Sequence, residues 1–321
     1  MLLYLLLFGV NLAHNPSELV LPRGAVAALV KSARGNYKDY EMLISRNIGI
    51  RKFLWSPNRM DIIIFHDSGM MDQDKLYIQS FTPDMDLKFV DVSIIFRRFK
   101  KVNNRSCPST KESIYYSPGY HSMCYFWFGS FFEFLDDYDW MLRLDDDCEL
   151  FTESRHLIPP TNESIRFGAT RWIELDKINF DTVSETKEGV VVRGMKKFVN
   201  TFLYTNRINI SLPLHTWTAP YTNVMYIHLP WIRANTLIKR FIHAVYESGC
   251  IYSNRWGDLP LWGAALMIAR EAPSYLMLPY EHYSHKMTVL HNKIVLHEKK
   301  RRKRRGKIKD FIDRIIVSIN N

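Results

Sequence analysis

Three consecutive carboxylates at the end of an apolar run carry the clearest chemistry in this chain. Trp140-Met141-Leu142-Arg143-Leu144 leads directly into Asp145-Asp146-Asp147. The apolar part reads as a short buried strand. Open α/β sheets place their ligand crevice at such strand ends. Side chains alternate along an extended segment, so Asp145 and Asp147 are expected to face the same way. Two carboxylates aimed at one spot repel each other unless a cation sits between them. Hard oxygen ligands suit Mn²⁺ or Mg²⁺, and such ions usually bridge to substrate phosphates. A transferase that expels a nucleoside diphosphate needs this arrangement. The plain alternative is a solvated acidic turn.

The elements that must position this group read as an open α/β sheet. Gly24 to Val30 is a buried-strand run, followed by a polar break from Lys31 to Tyr37 and a helical stretch from Asp39 to Ile50. Asp61 to Phe65 is a second strand and Leu87 to Ser93 a third. Residues 119–135 have helical length and are rich in aromatics, and Ile165 to Thr170 reads as a further strand. Strands alternating with helices imply a mainly parallel central sheet flanked by helices. The second half is less regular. Trp231 to Ser248 reads as one helix with Gly249 as its C-cap. Leu259 to Glu271 reads as another, with Asp258 as N-cap and Pro260 at the first position. Asp258 has a second reading, as a base or as a holder of an acceptor hydroxyl.

Composition fits a globular enzyme. The chain has 321 residues, 47% of them hydrophobic and 14% aromatic, ample for a sizeable core. Its formal charge of +10 is a local property. Residues 293–309 hold ten Lys or Arg and one Glu, so the rest of the chain is nearly neutral. That distribution argues against nucleic acid as the partner of the body of the protein. Residues 308–319 then place apolar residues near helical spacing. A basic run beside an amphipathic helix can lie on an anionic membrane surface, so 293–319 is a candidate membrane contact, with a solvated tail as the alternative.

The chain divides into a short hydrophobic signal-like or anchor-like segment (1–22), a catalytic-type domain (23–292) and the basic tail (293–321). Leu2 to Val10 is apolar but far shorter than a membrane span. Cys107, Cys124, Cys148 and Cys250 lack zinc-type spacing and allow at most two disulfides. Glycosylation sequons at Asn104, Asn162 and Asn209 favour a secretory location mildly.

Several short elements, in order, carry a family resemblance. Arg23-Gly24-Ala25 opens the first strand, and Asp61 to Phe65 is followed by Asp67. Gly119-Tyr120-His121-Ser122-Met123-Cys124 fits a Gly-Tyr-x-x-Met-Cys element and precedes aromatics and Gly129-Ser130. Arg143 to Asp147 falls on an Arg-Val-Glu-Pro-Asp metal site. Ser248-Gly249 and Arg255-Trp256-Gly257-Asp258-Leu259-Pro260 fit a Ser-Gly and an Arg-Trp-Gly-Asp-Ala-Pro element. From about Arg23 to about His285 the chain thus resembles the fungal-type α-1,2-mannosyltransferases, the glycolipid 2-α-mannosyltransferase family, as a distant member.

The resemblance implies a GT-A-like nucleotide-diphospho-sugar transferase fold. It implies Mn²⁺ (or Mg²⁺) as cofactor, GDP-mannose as donor, a glycan acceptor, and a Golgi or ER-lumen setting associated with the membrane. It places Tyr120, Met123, Arg143 and Asp145 on the nucleotide, Asp145 and Asp147 on the metal, and Asp258 and Arg255 in catalysis. Residues 217–262 are expected to shape the acceptor side.

Two positions depart from the family. Trp262 stands where the family has a metal-binding histidine, so His282 or His285 is expected to supply that ligand. Thr222-Asn223-Val224-Met225 stands where the family has Ser-Asn-Phe-Glu, whose glutamate is proposed as nucleophile. No carboxylate occurs between Glu188 and Glu247. A double displacement through a glycosyl-enzyme needs one; a front-face transfer, with the leaving diphosphate as base, does not. The competing expectation is a catalytically inactive relative that binds glycans or acts as a scaffold docked by its basic tail.

Overall fold

The computed structural model describes residues 22–98, 117–151, 153–154, 165–174, 194–208, 218–254, 256–271 and 283–284. In chain order the first half contains β1 (Gly24–Val30), α1 (Glu41–Phe53), β2 (Met60–His66), α2 (Asp72–Gln79), β3 (Leu87–Asp91) and α3 (Ser93–Arg98). Then come α4 (Pro118–Tyr125), β4 (Trp140–Leu144), β5 (Glu149–Leu150), β6 (Phe167–Ala169) and β7 (Trp172–Glu174). The second half contains α5 (Met195–Thr205), β8 (Thr218–Pro220), β9 (Val224–His228), α6 (Leu229–Ala234), α7 (Thr236–Ser248), α8 (Cys250–Ser253), α9 (Asp258–Ala269) and β10 (Tyr283–Ser284).

The central sheet has the order β3-β2-β1-β4-β9-β6. Its first four strands run parallel, while β9 is antiparallel to both β4 and β6. The alternation of side chains along β1, β2, β4 and β9 splits the interior into two cores. Ala25, Ala27, Ile63, Phe65, Met141 and Met225 face the aromatic stretch after α4 and the helices α7 and α9. Val26, Ala28, Ile62, Ile64, Leu142 and Leu144 face α1 through Leu43, Ile44 and Ile50. Burying both faces explains why β1, β2 and β4 read as largely apolar runs. Gly24 is fixed by close approach: a Cβ there would lie 1.8 Å from the Trp140 ring.

Several boundaries differ from the sequence expectation, each for a local reason. The helix expected from Trp231 to Ser248 is two helices. Asn235 leaves the helical conformation, and its side-chain oxygen caps α7 by accepting from the Ile238 N–H at 3.0 Å. Gly249 ends α7 at φ 66°, in the left-handed conformation expected of a C-cap glycine. The stretch 119–135 is helical but irregular: α4 passes into a π-helical turn (Phe126–Ser130) and then a 3₁₀ turn (Phe131–Phe134). The third strand stops at Asp91, whose carboxylate accepts from the Ser93 N–H at 2.7 Å and starts α3. Strand β9 was not expected. It lies inside the region assigned to the acceptor side, so that region supplies a central strand and much of one core as well as any cleft wall.

Among the described residues no helix is long and apolar enough to cross a membrane. The N-terminal segment through residue 21 and the basic tail lie outside the described residues, as do the sequons at Asn104, Asn162 and Asn209. Cys250 is disulfide-bonded, to a partner outside the described residues, whereas Cys124 and Cys148 are buried free thiols.

Candidate active site

Strand order reverses between β1 and β4: one parallel arm leaves β1 toward β2 and β3, and β4 lies on its other side. The carboxyl ends of the strands at such a switch point frame the ligand crevice of open α/β sheets. Register places Ala27 beside Arg143. The acidic group that follows β4 therefore emerges next to the end of β1.

The chain leaves the strand at Leu144 and turns at once. The Cys148 N–H donates to the Asp145 carbonyl at 3.0 Å, so Asp146 and Asp147 occupy the middle of a tight turn. The alternation expected for an extended Asp145-Asp147 pair does not apply, because the segment is not extended. Asp145 instead points back at its own strand. Its Oδ1 accepts from Arg143 Nε at 2.7 Å and its Oδ2 from Arg143 Nη2 at 3.2 Å. The third nitrogen of the fork, Nη1, donates to Asp258 Oδ2 at 2.5 Å.

Arg143 is thus a buried cation clamped between two carboxylates. Its guanidinium also lies over the Trp127 ring, 4.5 Å from the centroid. Burial alone would weaken its charge, but Asp145 and Asp258 more than offset this and hold it firmly protonated. Asp258 is the first residue of α9, and Gly257 stands at the cap position. The N-cap reading of Asp258 is therefore replaced by an ion pair spanning 115 residues of sequence.

The α4 residues join the same group. Cys124 is buried against Asp258 and Arg143, and Tyr120 reaches Cys124. Met123 packs partly buried on the same core. The structure therefore brings Tyr120, Arg143, Asp145 and Asp258 together around Cys124, with Asp146 and Asp147 on the turn that follows β4. Arg255, His282 and His285 lie outside the described residues.

The two departures from the family pattern have structural explanations. Trp262 is fully buried on α9, where its Nε1–H donates to the Trp127 carbonyl at 2.9 Å and its ring packs against Phe128, Phe131 and Phe167. An imidazole there would leave a hole in an aromatic core. Met225 is fully buried on β9, directly opposite Arg143. Met225 thus belongs to the core.

Sequence reasoning missed Arg46 and assigned no role to Asp146. Arg46 lies on the opposite face of the sheet from Arg143, on the α1 stripe that also carries Leu43, Asn47 and Ile50. A charged residue on a buried stripe was the available signal. Burial pushes the Asp146 carboxyl up to about 7, and repulsion from Asp145 and Asp147 adds to this, while Arg46 pulls it back. Keeping it ionised above that pH costs the fold on the order of a few kcal/mol. With a folded value above the ordinary 3.8, this contribution to stability is complete below about pH 4 and is lost as pH rises through about 7. Asp146→Asn is expected to melt at a higher temperature than the wild type at pH 8 and to lose that part of the pH dependence. Melting curves at pH 4, 6 and 8 that superimpose for the two proteins would exclude it.

The residues present fit a divalent cation held together with a diphosphate. Arg143 pairs with Asp145 and Asp258, and Arg46 lies behind the turn that carries Asp146 and Asp147, so the four carboxylates outnumber the two guanidiniums. Mg²⁺-type ions are commonly held by one or two carboxylates plus substrate phosphates, not by an all-protein cage. Among the described residues no group of three or more His, Cys, Asp or Glu is placed to hold a metal by itself.

No protein-family model matches the chain, and no curated protein matches it. Solved structures do. Core-mannan synthase A (CmsA/Ktr4) from Aspergillus fumigatus, in its Mn/GDP form, superposes with a TM-score of 0.60 at 17% identity, covering 82% of this chain and 74% of that one. The mannosyltransferase Ktr4p from S. cerevisiae superposes with a TM-score of 0.54 at 16% identity, covering 83% and 70%. Its complex with GDP gives 0.52 at 16% identity, covering 83% and 71%. The chain therefore has the GT-A-like nucleotide-diphospho-sugar transferase fold, in the form these fungal mannosyltransferase structures share.

Proposed function

We propose that this chain is a metal-dependent glycosyltransferase that moves mannose from GDP-mannose, with retention, to a hydroxyl of a glycan, glycoprotein or glycolipid. The observation that carries the reading is the acidic turn at the carboxyl end of β4, joined through buried Arg143 to Asp258 at the sheet's switch point. The Mn/GDP and GDP forms of the two similar structures support the choice of cofactor and nucleotide.

In this reading Mn²⁺ or Mg²⁺, when bound, neutralises charge on the departing diphosphate. Asp147 is the main protein ligand. Asp145 keeps lone pairs for the metal while Arg143 fixes its orientation. Asp258, held by the same guanidinium, accepts a hydrogen bond from the acceptor hydroxyl and orients it. Tyr120 and Met123 border the nucleotide. With Met225 in the core, no carboxylate stands at the family's nucleophile position, so attack from the same face as the leaving diphosphate, with that diphosphate taking the hydroxyl proton, is the route the residues allow. A disulfide at Cys250 is compatible with an oxidising, secretory compartment. The basic segment 293–319 remains the proposed contact to an anionic membrane surface, and His282 and His285 remain proposed metal ligands.

One specific observation favours a second reading. Met225 and Trp262 are both committed to the core, which suits a non-catalytic relative that keeps the fold as a glycan-binding scaffold. Donor hydrolysis separates the two. Incubation with Mn²⁺ and a panel of nucleotide sugars is expected to release GDP from GDP-mannose above the rates for the other donors. No release from any donor, with GDP still bound, would establish the scaffold.

A further inference from the structure

The acidic turn is bracketed by two buried arginines, one on each face of the sheet, and among the described residues only Arg143 is paired with a carboxylate. Arg143 has two carboxylates. Arg46, fully buried on α1, has none among the described residues. Its Nε donates to the Leu144 carbonyl at 2.7 Å, the last residue before the turn, and its Nη1 to Asn47 Oδ1 at 2.8 Å. Its Nη2 has no hydrogen-bond partner, nor does Asn47 Nδ2. An uncompensated buried guanidinium is costly, and a close carboxylate is the usual remedy. Here the nearby negative charge is the turn itself: Arg46 acts on Asp145 and Asp146 and on the Cys148 thiol beside them.

We propose that Arg46 is a positioning residue for the acidic turn, which fixes the Leu144 carbonyl from behind the sheet and offsets part of the turn's negative charge. A divalent cation at Asp147 is then held weakly enough to leave with the nucleotide. The inference rests on the metal-site reading above. Product release often limits turnover in transferases that close over a nucleotide. A turn with its full negative charge would retain the metal and slow that step.

The test is Mn²⁺ binding to the full chain in the presence of GDP, followed by electron paramagnetic resonance, with turnover measured in parallel. Asn47→Asp places a carboxylate where Arg46 already donates, so it neutralises the guanidinium without opening a cavity and also removes the unpartnered amide. It is expected to tighten the Mn²⁺ Kd about tenfold while kcat falls. Arg46→Lys keeps the charge and should bind Mn²⁺ like the wild type, with kcat lowered by loss of the Leu144 contact. Arg46→Met should tighten binding as Asn47→Asp does. Should Arg46→Met fail to fold, Asn47→Asp decides alone. An Asn47→Asp Kd within twofold of the wild type overturns the inference while leaving the metal site intact. Absence of Mn²⁺ binding by the wild type overturns the metal-site reading, and this inference with it.

Discussion

Arg143→Met should lose about 3–5 kcal/mol of folding free energy, the usual cost of breaking a buried ion pair from one side. The Arg143 side chain is 5% exposed, and its partners Asp145 and Asp258 are 19% and 11% exposed. Without the guanidinium, two carboxylates face each other near the Trp127 ring with little water to solvate them. Methionine fills most of the arginine volume, so the loss reports charge and not a cavity. The diagnostic control is Arg143→Met combined with Asp145→Asn and Asp258→Asn. Removing the charges together should return much of the stability, because an uncharged cluster no longer needs the cation. Urea unfolding midpoints and slopes measure both effects. A single variant within about 1 kcal/mol of the wild type would show that the clamp is not a buried ion pair in solution.

The same clamp shows where sequence reading succeeds and where it stops. Strands β1, β2 and β4 were legible because both faces of the sheet are covered there, and burial on both faces writes itself as largely apolar runs. The turn chemistry at Gly249 was legible because a left-handed residue at a helix end favours glycine. The pairing of Arg143 with Asp258 was not, since it joins positions 115 residues apart and leaves no local pattern. Asp258 carried a capping signal instead, and tertiary pairing overrode it. Strand β9 was hidden for a related reason. It is five residues long, runs antiparallel between β4 and the edge strand β6, and is followed at once by α6. Asp145 and Asp147 were treated as equivalent because alternation assumes a strand, whereas the chain turns after Leu144. The likeness to fungal mannosyltransferases pointed to the right fold. The residues that depart from it, Met225 and Trp262, proved to be core residues, a role that local motif matching does not reveal.

That asymmetry within the triplet gives the second large effect. Asp147→Asn should reduce nucleotide-sugar turnover by ~10²-fold or more, the scale of losing a group that stabilises charge at the leaving diphosphate. Folding should survive, because Asp147 is partly exposed on the turn and its charge raises the cost of ionising Asp146. Melting temperature at pH 8 should stay level or rise. Asp145→Asn should behave differently: it weakens the Arg143 clamp, so activity and stability fall together. Thermal melts, Mn²⁺-dependent GDP binding by calorimetry, and turnover on a soluble acceptor distinguish the two variants. The decisive comparison is binding with and without metal. If Asp147 is the principal ligand, GDP affinity in Asp147→Asn becomes insensitive to Mn²⁺ while the metal-independent part is kept. Wild-type turnover in Asp147→Asn would remove Asp147 from the metal site and leave Asp145 as the remaining candidate ligand on the turn.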